Sequence, residues 1–177
     1  ELDVGYDAAG LAEGRHHRDA VSAAGFHRDV DAVMRWLAQE PELAQLPLAG
    51  LGFCFGGHLA WHLATRPELK ATASFYGARV SNFSPGGGAP TLQLAAEIPG
   101  RLLVWLGAED PLMPADEQQA ICAALQAADP TAERLQCRIA PEAGHGFMCS
   151  HRSDFQPEAA QQGWQSLLEL LGQIAEA

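Results

Sequence analysis

Three short glycine-bearing stretches of the 177-residue chain each hold a reactive side chain. Gly52-Phe53-Cys54-Phe55-Gly56 holds a thiol, and Ala143-Gly144-His145-Gly146-Phe147 holds an imidazole. Leu106-Gly107-Ala108-Glu109-Asp110-Pro111 holds two carboxylates before its proline. Thiol, imidazole and carboxylate together can carry out nucleophilic acyl transfer. The imidazole takes the thiol proton and later protonates the leaving group. The carboxylate fixes the imidazole tautomer and stabilises the imidazolium.

Each stretch alone reads two ways. A sharp strand-to-helix turn would hold Cys54 in a strained backbone, with Gly52 and Gly56 removing side-chain collisions. The N-terminus of the following helix would favour a thiolate, and the Phe55 N–H is a candidate oxyanion donor. Equally, Cys54 could be a small apolar residue packed at a strand end. Asp110 is preferred over Glu109 because it adjoins Pro111, but aspartate is also a common turn or cap residue. Asp116 belongs to the start of the next helix. His145, taken alone, could be a solvated loop residue. The three together shift the balance: they occur in the order Cys, Asp, His, each just after an apolar run. That is the order of α/β-hydrolases and differs from the chymotrypsin and subtilisin orders.

The elements that must position these groups follow from apolar patterning. Residues 1–15 form a polar, glycine-bearing lead-in without a clear period. From His16 to Gln39 the pattern is helical, with Val30, Val33, Met34 and Leu37 on one face, and Pro41 and Pro47 close the region. Leu48–Phe53, Ala71–Tyr76, Leu102–Leu106 and Leu135–Ala140 read as buried strands. Gly56–Thr65 and Ala115–Ala128 read as helices, and Trp164, Leu167, Leu168, Leu171 and Ile174 line a last one. Residues 81–100 carry the loop Ser-Pro-Gly-Gly-Gly-Ala-Pro, which lacks the Gly-Lys-Ser/Thr ending of a phosphate-binding loop. Alternating helices and uninterrupted apolar strands predict an α/β fold: a mainly parallel sheet covered on both faces, with function at the C-terminal strand ends.

Composition narrows the partners. The formal net charge of −11 argues against nucleic acid or an anionic membrane surface, both of which need a basic face. No apolar run is long enough for a transmembrane helix. The four cysteines, Cys54, Cys122, Cys137 and Cys149, contain no Cys-x-x-Cys pair, and as free thiols they suit a reducing cytoplasm. His58 and His62 stand four apart on a predicted helix, but no glutamate follows His58, so the His-Glu-x-x-His metal pattern is absent. No cofactor or metal is expected. The four tryptophans fit core or helix-face positions.

The segments GLGFCFGGHLAWHLA, KATASFYG, LLVWLGAEDPLMP and EAGHGFMCSHRSDFQPEAAQQGWQSLLELL resemble the dienelactone hydrolase (carboxymethylenebutenolidase) family, and the likeness runs over nearly the whole chain. It implies an α/β-hydrolase fold with Cys54 as nucleophile, Asp110 as acid and His145 as base. The implied reaction opens an enol-lactone or a related ester through a thioester acyl-enzyme. The partner would be a small-molecule ester or lactone. Family members carry an arginine shortly after the histidine to bind the substrate carboxylate. Here Cys149 stands four residues after His145, with Arg152 nearby, and Arg15 and Arg18 lie in the other anion-binding region; none aligns onto the role.

Only about fifty residues precede Cys54, fewer than the family's early strands require. The chain therefore reads as one α/β-hydrolase domain over residues 1–177, the C-terminal part of a longer protein. A second oxyanion N–H and a glutamate near the cysteine would then lie before Glu1, and the piece alone would lack full activity. Two other readings fit the residues: another α/β-hydrolase esterase or peptidase relative, and a non-catalytic binding protein of the same fold.

Overall fold

The computed structural model describes residues 4–5 and 7–175. Parts of the polar lead-in, residues 1–3 and 6, lie outside the described residues. In chain order the elements are α1 (Ala8–Asp19), α2 (Ala23–Leu37), β1 (Leu48–Phe53), α3 (Phe55–Ala64), β2 (Leu69–Phe75), a 3-10 helix (Thr91–Glu97), β3 (Arg101–Gly107), α4 (Ala115–Ala128), β4 (Leu135–Ala140) and α5 (Pro157–Ala175). The four strands form one sheet in the order β1-β2-β3-β4, and every pairing is parallel. Parallel neighbours need a crossover between them, and α3 and α4 supply two of these.

Side-chain alternation sorts the core into two layers. Ala71, Ala73 and Phe75 of β2 and Leu103 and Trp105 of β3 face α5, where Leu167, Leu170 and Ile174 cover them. Leu102, Val104 and Leu106 of β3 face the other way, onto Trp61 of α3 and Ile121 and Leu125 of α4. Each large aliphatic side chain fully buried this way contributes roughly 1.5–3 kcal/mol. Trp61 and Trp105 are core residues, whereas Trp36 and Trp164 stand half-exposed on helix faces.

The N-terminal region departs from expectation. A helix begins at Ala8, well before His16, with Asp7 as its cap accepting from the Gly10 N–H at 2.8 Å. The chain then breaks at Val21-Ser22, and Ser22 caps a second helix by accepting from the Gly25 N–H at 3.1 Å. A capping hydroxyl in mid-run ends one helix and starts another, and a period count alone passes over it. The apolar stripe of α2 is only partly covered. Val30 is buried, but Val33 is 51% exposed. β1 is an edge strand of the described sheet, and Leu51 on it is 48% exposed.

A second correction concerns the cysteines. Cys122 of α4 and Cys137 of β4 form a disulfide, with Cα atoms 5.3 Å apart; Cys54 and Cys149 are free. Helix α4 packs directly onto β4, and this brings together two residues whose spacing gave no disulfide signal. No helix among the described residues is long and apolar enough to cross a membrane.

Candidate active site

The turn between β1 and α3 is the most constrained point of the fold. Cys54 sits there alone between strand and helix, at φ 52° and ψ −120°. Its N–H donates to the Phe75 carbonyl at 3.0 Å, and its own carbonyl accepts from the His58 N–H at 3.0 Å. These bonds hold a positive φ that an L-residue otherwise avoids. Cys54 is exposed as a residue at the strand end, while its Sγ is partly buried against His145. Gly52 is required, because a Cβ there would overlap the Gly56 carbonyl. Gly56 itself is not: a Cβ on it meets nothing within 4 Å. The second steric requirement falls on Gly57, where a Cβ would lie 2.6 Å from the Phe75 carbonyl oxygen and 3.1 Å from the Gly77 Cα. The helix must approach β2 this closely for its N-terminus to point at the thiol.

Asp110 lies in the loop that leaves β3, and it is buried. Its Oδ1 accepts from the Leu112 N–H at 2.8 Å, leaving Oδ2 free to face elsewhere. Gln118 of α4 pins both ends of this loop from below. Its amide donates to the Gly107 carbonyl at 3.1 Å and the Met113 carbonyl at 2.8 Å. Nothing in the sequence reading marked Gln118; an amide in the first turn after a strand-end acid was the available signal. Glu109, the neighbour passed over, is exposed. Asp116 stands in the first turn of α4.

His145 lies in the loop after β4, buried against the Tyr76 ring at 5.4 Å between centroids. Its Nδ1 is 2.8 Å from Asp110 Oδ2, and its Nε2 is 2.9 Å from Cys54 Sγ. The fold therefore brings the three residues into one hydrogen-bonded line. Burial works against a thiolate at Cys54. The hydrogen bond and charge of His145, then the Phe55 N–H and the Arg152 charge, outweigh it and hold the thiol below its ordinary value. Burial also disfavours a charged imidazole, but the bonds to Asp110 and Cys54 and their charges outweigh it and raise His145 to about 9. The two shifts run in the directions that favour a thiolate beside an imidazolium.

A cavity of about 140 Å³ opens beside the thiol. Arg18, Phe55, Arg79, Phe83 and Leu112 line it together with Cys54 and His145. Arg79 has φ 66°, and its guanidinium lies 4.6 Å from the centre of the Phe83 ring. Of the arginines weighed from sequence, Arg18 reaches the cavity. Arg152 acts on Cys54 by charge and pairs with Asp154 at 3.4 Å, and Arg15 is exposed. Arg79, Phe83 and Leu112 come from loops without a motif, so patterning could not find them. A larger cleft of about 660 Å³ lies at the opposite ends of the strands and holds none of the candidate residues.

His58 and His62 are buried, and both ring Nε2 atoms face the Thr91 hydroxyl, at 2.8 and 3.0 Å. Among the described residues no group of three or more His, Cys, Asp or Glu is placed to hold a metal ion.

A parallel sheet flanked by helices, with a strained residue on the turn from strand to helix, defines the α/β-hydrolase class. Residues 10–175 match the family model of the dienelactone hydrolase family, and the chain belongs to that family. It is 33% identical over 171 residues to a Synechocystis protein provisionally named carboxymethylenebutenolidase, covering 96% of this chain and 68% of that one. A Yersinia pestis protein of the same provisional name is 32% identical over 142 residues, covering 80% and 52%. The crystal structure of a provisionally named dienelactone hydrolase from Klebsiella pneumoniae superposes with a TM-score of 0.74 at 29% identity, covering 87% and 63%. The chain thus spans between half and about two thirds of the length of these relatives.

Proposed function

We propose that this site hydrolyses an enol-lactone or a related carboxylic ester through a thioester on Cys54. What supports the reading above all is the unbroken line from Asp110 Oδ2 through His145 to Cys54 Sγ, at 2.8 and 2.9 Å. The Cys54 thiolate attacks the carbonyl carbon, and the carbonyl electrons move onto oxygen. The Phe55 N–H, at the head of α3, is one donor to that oxyanion. As the intermediate collapses, the carbon–oxygen bond of the ester breaks. The His145 imidazolium gives its Nε2 proton to the departing oxygen, leaving a thioester on Sγ. Water then approaches, the now neutral His145 takes its proton, and hydroxide adds to the thioester carbonyl. Collapse of this second intermediate releases the carboxylic acid and restores the thiolate. Asp110 keeps Nδ1 protonated throughout and stabilises the imidazolium. A thiolate suits a good leaving group such as an enolate.

Arg18 and Arg79 at the cavity support a substrate that itself carries a carboxylate, against an overall charge of −11 that would otherwise repel it. The partner is then a small anionic ester or lactone.

The reading is tested by mixing the chain with a p-nitrophenyl ester and following intact mass and peptide maps. A transient acyl adduct on Cys54, absent in Cys54→Ala, is expected. Hydrolysis that continues unchanged in Cys54→Ala, with no adduct, overturns it. The same outcome without hydrolysis points to a binding protein.

A further inference from the structure

The two buried histidines of α3 take no part in the proposed chemistry, yet their bonds run to both ends of the cavity wall. His58 Nδ1 lies 2.8 Å from the Ala78 carbonyl. A carbonyl only accepts, so this nitrogen carries the hydrogen. Burial holds His58 below its ordinary value, and the ring is neutral, which leaves Nε2 bare. That nitrogen must accept from the Thr91 hydroxyl, 2.8 Å away. Having given its one hydrogen to His58, Thr91 Oγ1 must accept from His62 Nε2 at 3.0 Å. The chain of bonds therefore has one direction: His62 Nε2–H to Thr91 O–H to His58 Nε2, then His58 Nδ1–H to Ala78 O.

This chain fixes the segment that holds Arg79 and Phe83. Ala78 is tied by His58 directly. Phe83 is tied through Thr91, whose backbone N–H donates to the Phe83 carbonyl at 3.1 Å. The His58 ring also meets the edge of the Phe83 ring at 5.7 Å. Arg79 lies between the two tied points with φ 66°, a conformation that must be over-determined by its surroundings to persist in a non-glycine residue. Thr91 opens the 3-10 helix and is buried, so its hydroxyl has no water to replace a lost histidine.

We infer that His58, Thr91 and His62 are positioning residues that hold Arg79 at the mouth of the Cys54 cavity and so set the preference for anionic substrates. The inference rests on the proposed role of Cys54, and a single pair of reagents separates the two. Iodoacetate and iodoacetamide alkylate the same thiol, one as an anion and one as a neutral molecule. Their rate ratio at Cys54 reads the held cation without needing turnover.

In the unsubstituted chain we expect fast alkylation of Cys54 with a preference for iodoacetate. Thr91→Val keeps the shape but removes the hydroxyl, and the ratio falls by about fivefold while the iodoacetamide rate stays within about twofold. Thr91→Ser, which keeps the hydroxyl, restores the ratio. Histidine ring 15N spectra at pH 7 should show His58 as the Nδ1–H tautomer and His62 as Nε2–H. Slow alkylation by both reagents in the unsubstituted chain would count against the reactive thiol and hence the proposed function. Fast, selective alkylation that Thr91→Val leaves untouched overturns the positioning role alone. Should Thr91→Val fail to fold, the spectra decide: a His58 ring in the Nε2–H form overturns the inference.

Discussion

The Nε2 of His145 stands 2.9 Å from the Sγ of Cys54, and the two residues are 91 positions apart in the chain. One comes from the end of an edge strand of the described sheet and the other from the loop after the opposite edge strand. Parallel strands open every one of their C-terminal ends on the same side, which is why such distant residues can meet.

The bond between the two residues should make the thiol reactive at lower pH than free cysteine. Cys54 lies below its ordinary value and His145 is raised to about 9. Alkylation of Cys54 by iodoacetamide should have its midpoint below that of free cysteine. In His145→Ala the midpoint should move up by about one pH unit or more. The two groups act on the fold with opposite signs: the lowered Cys54 contributes stability that is present above its ordinary value and lost as pH falls. His145 binds its proton more tightly folded than unfolded, so its stabilising contribution is complete below its ordinary 6.5 and is lost as pH rises through about 9. Urea melts at pH 6 and pH 9.5 in Cys54→Ser, where no thiol titrates at the site, measure the His145 part. A thiol that titrates like free cysteine, and no change on removing His145, would refute the pairing.

Asp110→Asn should abolish most ester turnover while leaving the fold nearly intact. Asparagine can still accept from the Leu112 N–H, but its amide would face His145 Nδ1 and invert the tautomer. A loss of roughly 10³–10⁴ in kcat is the order expected for this fault. Gln118→Leu should act differently, lowering the melting point first. It removes the Gln118 donor from the Met113 carbonyl, at roughly 1–3 kcal/mol, while the Gly107 carbonyl keeps the Asp110 N–H at 3.2 Å.

The elbow glycines should not be equal. Gly57→Ala pushes a methyl group to 2.6 Å from the Phe75 carbonyl oxygen, and Gly52→Ala drives one into the Gly56 carbonyl. Both should destabilise by about 1–3 kcal/mol or more and disturb Cys54. Gly56→Ala meets open space and should be tolerated. Thermal melts of the three variants check the order, and equal melting points would contradict the packing described.

The Cys122–Cys137 bond closes α4 onto β4 across a separation of 15 residues. A loop of that size constrains the unfolded chain by about 3 kcal/mol. Dithiothreitol, or the double variant Cys122→Ser with Cys137→Ser, should lower stability toward urea by that amount. Free-thiol titration should rise by two on reduction.

The uncovered apolar surface beside β1 predicts self-association of this chain. Val33 and Leu51 are about half-exposed, and Leu168 of α5 is 68% exposed. An edge strand with apolar flanks invites pairing with another chain. Sedimentation velocity at micromolar concentration should show species larger than a monomer. Leu51→Lys, which charges the edge, should shift them back.

Much of the architecture was legible because strands buried on both faces leave uninterrupted apolar runs, and α4 and β4 fall where the patterning placed them. The three reactive residues could be picked out because each follows such a run and they occur in the order Cys, Asp, His. The cavity could not. Arg79, Phe83 and Leu112 are ordinary loop residues whose meaning comes from what they face. The N-terminal helices were misread because a capping serine, a local feature, interrupts an otherwise continuous pattern.

By itself the sequence determined the α/β class, the mainly parallel sheet and the candidate trio, since these depend on local periodicity and on residue types near turns. Only tertiary structure decided what those residues do to one another. The separation of Cys54 from His145, the steric demand on Gly57 rather than Gly56, the Cys122–Cys137 pairing and the histidine–threonine chain behind Arg79 all arise between segments far apart in sequence. Contacts of that kind are set by how helices pack on a sheet, and no local pattern encodes them.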